Sequence, residues 1–306
     1  MGLFEQKSVG MEISHGGIAA VLIAQRAESA TLLRATRVPL PQGCLSPTLK
    51  EPQVLQPAEL VRAVREAWGS LHLGNRQVAL SLPDSAGHLL ITTLEEPWKQ
   101  HADAAEILRW KLGKRLGIDP EQLQLDFQLL ERHQNGATDL LVALIHRSVI
   151  LQYEELLLES GLQPVRIGLH TPHLLGLFDR FKAGAGQIIT LYDHALGTFA
   201  QTDRRLIFCR VKQLPDSPGQ PDRLRHELSA SLAASRQAWG GSAPGACYLM
   251  APPDDSSLAT MLTATLGEPP HQLRLENVMA RDVELTLPAS QLYCVSAAAG
   301  AALGGS

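Results

Sequence analysis

Residues 9–26 read VGMEISHGGIAAVLIAQR, two apolar runs joined by the short polar segment Ser14-His15-Gly16-Gly17. Glu12 is the acidic residue before that segment. Short apolar runs on either side of a glycine turn predict the two strands of a β-hairpin. Glycines in such a turn let backbone amides come close to a bound phosphate, so the stretch raises the question of a phosphate-binding loop.

The chain has 306 residues, 45% of them hydrophobic and 19% charged, which is enough for two domains with a sizeable core. Its net charge of −4 predicts no broad attraction to nucleic acid or to an anionic membrane. Four cysteines are scattered without a CxxC pair, which favours a reducing compartment. We find no apolar run long enough for a membrane span and no signal-peptide pattern, so we expect a cytoplasmic protein.

Residues 85–168 carry the most regular pattern, a β-α-β-β-α-β order that predicts a compact α/β unit. Gly117 is expected to end the first helix of this unit. Asn135-Gly136 predicts a hairpin turn between two strands. Ser148 is expected to cap the second helix.

A second hairpin pattern follows a glycine-rich hinge and occupies residues 187–211, QIITLYDHALGTFAQTDRRLIFCRV. Helices and strands follow later in both halves, so the chain contains two related hairpin starts. This internal duplication predicts two α/β lobes.

The quoted stretches together resemble the pilus-assembly family of PilM and the shorter MshI, with FtsA and the cytoplasmic part of GspL as more distant relatives. The similarity covers nearly the whole chain and is strongest over 78–180. It is carried by VALSLPDSAGHLLITTLEEP (78–97), AAEILRWKLGKRLGIDPEQLQLDFQLL (104–130) and the Ala/Gly-rich SAAAGAALG (296–304).

The resemblance implies a two-lobed actin-like ATPase fold of the α/β class with an inserted α/β subdomain in the first lobe. We expect residues 1–84 and 169–184 to form the first lobe, 85–168 to form the insert, and 185–306 to form a shortened second lobe. In this fold class the insert faces partners.

The first phosphate turn departs from the family pattern. The family has an Asp where this chain has Glu12, a Gly at the position of Ser14, and a Lys at the position of Ala19. We therefore interpret the turn as the remnant of a nucleotide site. Its vestigial residues would be Glu12, Ser14, His15, Gly16, Gly17 and Asp193.

The two other nucleotide signals are also altered. In an ungapped register, Tyr192 takes the acidic position of the second turn and His194 its glycine position, while Asp193 falls one residue late. The Gly-Gly turn expected after the strand ACYLM is replaced by APPDDSS, whose prolines lack amide donors and whose aspartates repel phosphate. We expect no resident cofactor, and ATP with Mg²⁺ is the alternative that the fold would accommodate.

Two motifs have the composition of metal ligands. His170-x-x-His173 could hold one ion, but a helix capped by Thr171 with Pro172 as its first residue explains the same residues. Asp254-Asp255 could chelate a cation, but a solvated turn after two prolines explains the pair. We favour the structural interpretation of both motifs and predict no metal site.

A basic face is predicted on the first helix of the insert. It would serve either as a binding surface for an acidic partner or as an ordinary solvated face. Its residues are Arg109, Lys111, Lys114 and Arg115.

The resemblance implies a non-catalytic cytoplasmic scaffold at the inner membrane, in assembly of a type IV or MSHA-like pilus or a related secretion machine. Its partner would be the short cytoplasmic tail of a bitopic, PilN-like protein, held in a groove between the first lobe and the insert. One alternative is an enzyme, either a nucleotide-binding actin-like ATPase or a sugar kinase-like protein. The other is a GspL-like component of a type II secretion system.

Overall fold

The structure of the protein, a computed structural model, describes residues 6–26, 29–46, 53–181, 184–202, 205–214, 220–241, 245–253, 255–282, 285 and 287–304. Its strands are β1 (Gln6–Ser14), β2 (Gly17–Arg26), β3 (Ser29–Val38), β4 (Gln77–Leu82), β5 (Gly87–Leu94), β6 (Leu123–Arg132), β7 (Thr138–His146), β8 (Gln163–Leu169), β9 (Gly186–Tyr192), β10 (Ala195–Thr202), β11 (Arg205–Gln213), β12 (Ala246–Met250), β13 (His271–Gln272) and β14 (Ala280–Arg281). Its α-helices are α1 (Pro57–Gly69), α2 (His101–Leu116), α3 (Arg147–Glu159), α4 (His170–Arg180), α5 (Gln220–Ala238), α6 (Ser257–Leu266) and α7 (Ser296–Leu303). Within these ranges we find no helix with the length and apolar character needed to cross a lipid bilayer.

The first-lobe sheet has six strands in the order β14-β3-β2-β1-β4-β8. The predicted N-terminal hairpin is present, with Ser14 paired to Gly17 across a two-residue turn. Strand β1 alternates between two cores, because successive side chains point to opposite faces of a sheet. Met11 and Ile13 pack with α1 and α3, whereas the other face of the sheet meets α4 and α7.

The second-lobe sheet has five strands in the order β11-β10-β9-β12-β13. Ile189 and Leu196 point to the side covered by α5 and α6. Ile188 and Phe199 point the other way and share a core with α4, α7 and strand β2 of the first lobe. This continuous core joins the two lobes.

The insert is smaller than the sequence predicts. Its sheet, β5-β7-β6, packs on α2 around a separate core that includes Leu108, Leu125 and Val142. The predicted range of 85–168 extends too far, because α3 packs in the first-lobe core and β8 pairs in parallel with β4. The independent unit therefore covers residues 87–146.

The C-terminal part of the predicted second lobe belongs to the first lobe in the structure. β14 pairs with β3 at the edge of the first-lobe sheet, and α7 packs across β1, β2 and β4. The range of 185–306 therefore mixes a second-lobe part with a segment that returns to the first lobe. Small residues allow this return: an added Cβ at Gly10 would lie 1.8 Å from the Ala298 carbonyl oxygen.

Local signals predicted some helix ends and turns correctly. Gly117 ends α2 with a left-handed φ of 66°, and Gly136 has a φ of 89° in the predicted hairpin turn. The prediction that Ser148 caps α3 is wrong, because the cap is His146, whose ring accepts a hydrogen bond from the Ser148 amide. The prediction that Thr171 caps α4 is also wrong, because that helix begins at His170.

Replacing Gly10 or Gly300 with Ala is expected to lower the free energy of unfolding by about 3 kcal/mol, because each new methyl group would overlap backbone atoms between α7 and its neighbours. The nearest atoms are the Ala298 oxygen and the His173 oxygen, at 1.8 and 2.1 Å. Urea unfolding monitored by circular dichroism measures the loss. Gly69→Ala is the matched control, because nothing lies within 4 Å of its added Cβ. Equal stability of all three variants would contradict the close packing of α7.

Candidate functional site: the contact between the two hairpin turns

The turns of the two hairpins touch each other at the boundary between the lobes. The His15 backbone N–H donates to Asp193 Oδ1 at 3.0 Å, and the His15 ring nitrogen Nδ1 lies 3.1 Å from Asp193 Oδ2. The His15 and His194 rings pack edge to face, with centroids 5.0 Å apart. Side chains of the two turns therefore contact each other directly across the boundary between the lobes.

The second turn has a different register from the predicted one. Tyr192 pairs with Ala195, so the turn residues are Asp193 and His194, both with positive φ angles of 44° and 61°. The first hairpin has its two-residue turn at 15–16. Counting back from each turn matches Glu12 with Thr190 and Ser14 with Tyr192. This count differs by two residues from the ungapped register and places Thr190 at the position equivalent to Glu12.

Asp193 is held as a carboxylate by two histidines. Its Oδ2 atom also lies 3.5 Å from Nε2 of His170, the first residue of α4. Burial raises the pKa of Asp193, but the contacts with His15 and His170 more than offset that effect and hold the pKa well below its usual range. Burial lowers the pKa of His170, but Asp193, Glu12 and Asp84 together raise it above its ordinary value.

The two histidines of the HxxH motif share one hydroxyl group. Ser81 Oγ, at the end of β4, lies 2.8 Å from Nδ1 of His170 and 2.8 Å from Nδ1 of His173. Burial, with smaller effects of His170 and Arg166, lowers the pKa of His173 to about 3, so that ring is neutral. The motif is therefore built into a buried polar network. The sequence spacing alone gave no sign of Ser81.

Asp84 binds the first turn of α4 through Thr171. Its carboxylate accepts hydrogen bonds from the amide and the hydroxyl of Thr171, at 3.0 and 2.9 Å. Burial raises the pKa of Asp84, although His170 and the Thr171 hydrogen bonds act in the other direction. Thr171, which was predicted to cap the helix, thus binds the side chain of Asp84 from the segment between β4 and β5.

Glu12 is buried and accepts hydrogen bonds from strand β9 and from helix α7. Its Oε2 atom accepts a hydrogen bond from the Tyr192 hydroxyl at 2.7 Å and from the Ala298 amide at 3.0 Å. The Ala297 amide donates to the same tyrosine hydroxyl at 3.3 Å. Burial raises the pKa of Glu12 to about 7, although His170, Tyr192 and Ala298 lower it. Glu12 therefore connects β1, β9 and α7, and Ser14 closes its own turn with a hydroxyl bond to the Gly17 carbonyl at 3.0 Å.

A small cavity lies where the third nucleotide signal was expected. Its volume is about 210 Å³, below the roughly 300–1,000 Å³ of common ligand pockets. Ala251 and Pro253, which follow β12, line it together with Tyr293. Asp255 accepts hydrogen bonds from the amide and hydroxyl of Ser257, which fits the turn interpretation of the Asp254-Asp255 pair, and Asp254 lies outside the described residues.

The predicted basic face lies on α2, within the insert. Lys111 forms an ion pair with Glu96 at 2.6 Å, and the Lys114 ammonium lies 5.3 Å from the centre of the Trp110 ring. Arg109 is half-buried and Arg115 is exposed. Two of the four cations thus have partners within the insert.

A larger groove lies elsewhere, where the insert meets α3 and β8. Its volume is about 400 Å³. Val165 and Leu151 expose 60% and 46% of their surface, although both are apolar. The sequence predicts a groove between these units but gives no residue for it. The lining residues are Gln124, Arg147, Ile150, Leu151, Glu154, Pro164, Val165, Arg166 and Ile167.

Two lobes whose hairpin turns face each other, with a subdomain inserted into the first lobe, are typical of the actin-like ATPase fold. Solved structures with a similar fold support this assignment. A chain of the PilM–PilN type IV pilus biogenesis complex is 20% identical, with a TM-score of 0.78 over 97% of this chain and 98% of that chain. A Bacteroides thetaiotaomicron protein with an actin-like ATPase fold and unknown function is 12% identical, with a TM-score of 0.53 over 90% and 92%. The cytoplasmic domain of EpsL, an inner-membrane component of the type II secretion system of Vibrio cholerae, is 14% identical, with a TM-score of 0.52 over 95% and 94%.

No family model and no curated protein matches the chain. The structural likenesses confirm the predicted fold class: the chain has the actin-like ATPase fold. At these identities they do not extend to activity, so the function is argued from the sites.

Replacing Glu12 with Gln should flatten the dependence of stability on pH. The folded-state pKa of about 7 lies above the ordinary value of 4.5, so the folded chain binds this proton more tightly than the unfolded chain. The resulting stabilisation is complete below pH 4.5 and is lost as the pH rises through 7, a loss of about 3 kcal/mol.

Urea unfolding of both proteins between pH 5 and 8 measures this difference. The glutamine side chain of the Glu12→Gln variant keeps an oxygen that accepts from Tyr192 and Ala298, so the variant should fold. His170 also has a raised pKa, partly because of Glu12, so its stabilisation is also lost as the pH rises. Removing the Glu12 charge should therefore reduce this contribution to the pH dependence as well. Parallel pH profiles for the two proteins would show that the Glu12 proton is not held in the folded state.

Proposed function

We propose that this protein is a non-catalytic cytoplasmic scaffold in a pilus-assembly or secretion machine of the inner membrane. Its ligand would be the extended cytoplasmic tail of a bitopic, PilN-like protein. The observation that carries the proposal is the groove beside the edge strand β8, between the first lobe and the insert.

Strand β8 offers a place for an added strand. It is the last strand of the first-lobe sheet, and β4 is its only strand neighbour in the described part of the chain. An extended peptide can bind such an edge through main-chain hydrogen bonds and place alternate side chains in pockets. Pro164, which has no amide donor, is compatible with an edge position.

A bulge in β8 places an apolar side chain in the groove. Its pairing with β4 passes from Pro164 directly to Arg166, so Val165 is bulged out of the ladder and exposed. Leu151 of α3 lines the same groove. Arg147 and Glu154, also on α3, provide charges of both signs that could set the direction of a bound peptide.

The most similar of the three compared structures belongs to a complex named for PilM and PilN. The agreement over nearly the whole of both chains supports the choice of a PilN-like tail as ligand. The EpsL domain supports a role as a type II secretion component as the alternative, with a lower TM-score of 0.52.

The contact between the turns argues against the ATPase alternative. A nucleotide phosphate would have to separate His15 from Asp193 and approach a carboxylate whose pKa is held well below its usual range. Tyr192 fills the position that a glycine would leave open to backbone amides. We propose that the nucleotide site is degenerate and that no resident cofactor is bound.

Titration of the purified protein with ATP and Mg²⁺ should give no saturable heat up to millimolar nucleotide, because the turns are bridged by side chains. Isothermal calorimetry measures this, with a known actin-like ATP binder as the positive control. Saturable binding in the micromolar range would restore the nucleotide-switched alternative.

Replacing Val165 or Leu151 with Arg should weaken binding of a tail peptide about tenfold or more, because each change puts a charge into the apolar part of the groove. The probe is a labelled synthetic peptide with the cytoplasmic sequence of a PilN-like protein from the same organism, and fluorescence anisotropy measures its affinity.

Leu158→Arg is the matched control. Leu158 lies on the same helix as Leu151 and is similarly exposed, at 59%, but does not line the groove. The proposed site would be wrong if this control weakened binding as much as the groove variants. Binding that none of the three changes affects would also contradict it.

A further inference from the structure

We propose that His15, Asp193 and His194, with His170, form a site for a divalent transition-metal ion of the zinc class, which would join the two lobes at their hairpin turns. The proposal does not depend on the tail-binding function. The sequence predicts no metal site here, because His15, the Asp193-His194 pair and His170 come from separate parts of the chain and form no local motif.

The first three residues already have the spacing of ligands. One ligand atom from each of His15, Asp193 and His194 lies within 4.8 Å of the others. His15 Nδ1 and Asp193 Oδ2 are 3.1 Å apart. Two ligands of a tetrahedral zinc ion, with bonds of about 2.0–2.1 Å, are separated by about 3.3 Å. A small movement of the turns would therefore accommodate an ion.

His170 supplies an independent observation. Its ring is fully buried, and its Nε2 atom makes no hydrogen bond of ordinary length within the described ranges but lies in ion-pair range of Asp193 Oδ2, at 3.5 Å. His170 is not one of the three residues whose ligand atoms lie within 4.8 Å of one another, so it would join the ion as a fourth ligand after a small movement. The other ring nitrogen is 2.8 Å from Ser81 Oγ. Metal-bound histidines commonly have this arrangement, with one nitrogen hydrogen-bonded and the other directed at the ion.

The ligand chemistry selects the kind of ion. Three imidazoles and one carboxylate suit Zn²⁺, Co²⁺ or Ni²⁺, whereas Mg²⁺ and Ca²⁺ prefer oxygen ligands. The His15 side chain is 33% exposed, which provides a path from solvent to the site. Metal binding at His170 would replace the proton that Asp193 otherwise favours on that ring.

A second cluster provides an internal control. Glu131, His133 and Asp139 also bring three ligand atoms within 4.8 Å of one another. These residues lie on the insert, where Glu131 also pairs with Arg205 of β11. Because this cluster lacks a buried histidine comparable to His170, we expect no comparable affinity there.

The test begins with protein freed of metal by EDTA and dialysis. Calorimetric titration with Zn²⁺ should show one ion per chain with micromolar or tighter affinity. Titration with Co²⁺ should give the visible absorption of a four-coordinate site. Zn²⁺ should also raise the melting temperature, because an ion bound only by the folded state stabilises it.

Two variants identify the ligands. His15→Ala and His194→Asn should each weaken Zn²⁺ binding about tenfold or more. Asparagine tolerates the left-handed backbone that His194 adopts in that turn, so the second variant should keep the fold. His133→Ala, in the second cluster, and His226→Ala, on the exposed face of α5, should leave the affinity unchanged.

The proposal would be overturned by the absence of saturable Zn²⁺ binding in the micromolar range. It would equally be overturned if His133→Ala removed the binding, or if both turn variants kept it while circular dichroism showed them folded. In these cases Asp193 is hydrogen-bonded to His15 and ion-paired with His170 without a metal.

Discussion

The contact of Asp193 with His15 and His170 is the interaction on which the arrangement of the lobes depends. A buried carboxylate is costly unless charge and hydrogen bonds compensate it, and here the compensating groups come from the first lobe while the carboxylate comes from the second. Glu12 of the first lobe and Tyr192 of the second lobe form another polar contact across the same boundary. Separating the lobes would break the contacts of Asp193 with His15 and His170 and that of Glu12 with Tyr192, so the polar network and the shared apolar core favour the same closed arrangement.

Local signals in the sequence predicted the elements well, but not the sheets they join. A hairpin turn such as Asn135-Gly136 depends on a few neighbouring residues, and it forms where expected. The assignment of β8 and α7 to the first lobe depends on pairing and packing with β4 and β1, far away in the chain. Periodicity gives the type of each element and cannot give its distant neighbour. Both domain boundaries were misplaced for this reason.

In the candidate site, too, the sequence predicted local features but not the contacts between distant segments. The family resemblance implied that Glu12 and Asp193 belong to one site, and the structure brings the two hairpin turns into contact. It did not indicate Ser81, Asp84 or the role of His170, which are brought together by the ends of β4, β8 and α4. An ungapped comparison located the second turn but could not set its register, because the residue pairing of β9 with β10 determines it.

The return of α7 to the first lobe affects the order in which the chain can fold during synthesis. Gly10 leaves the ribosome tens of seconds before Ala298, the residue against which it packs. Throughout that time the Glu12 face of β1 lacks the helix that covers it. Contacts between residues so distant in sequence also slow folding, because a long loop must close before they form. A nascent first lobe would therefore expose an apolar sheet face, which makes it a candidate for chaperone binding before the chain is complete.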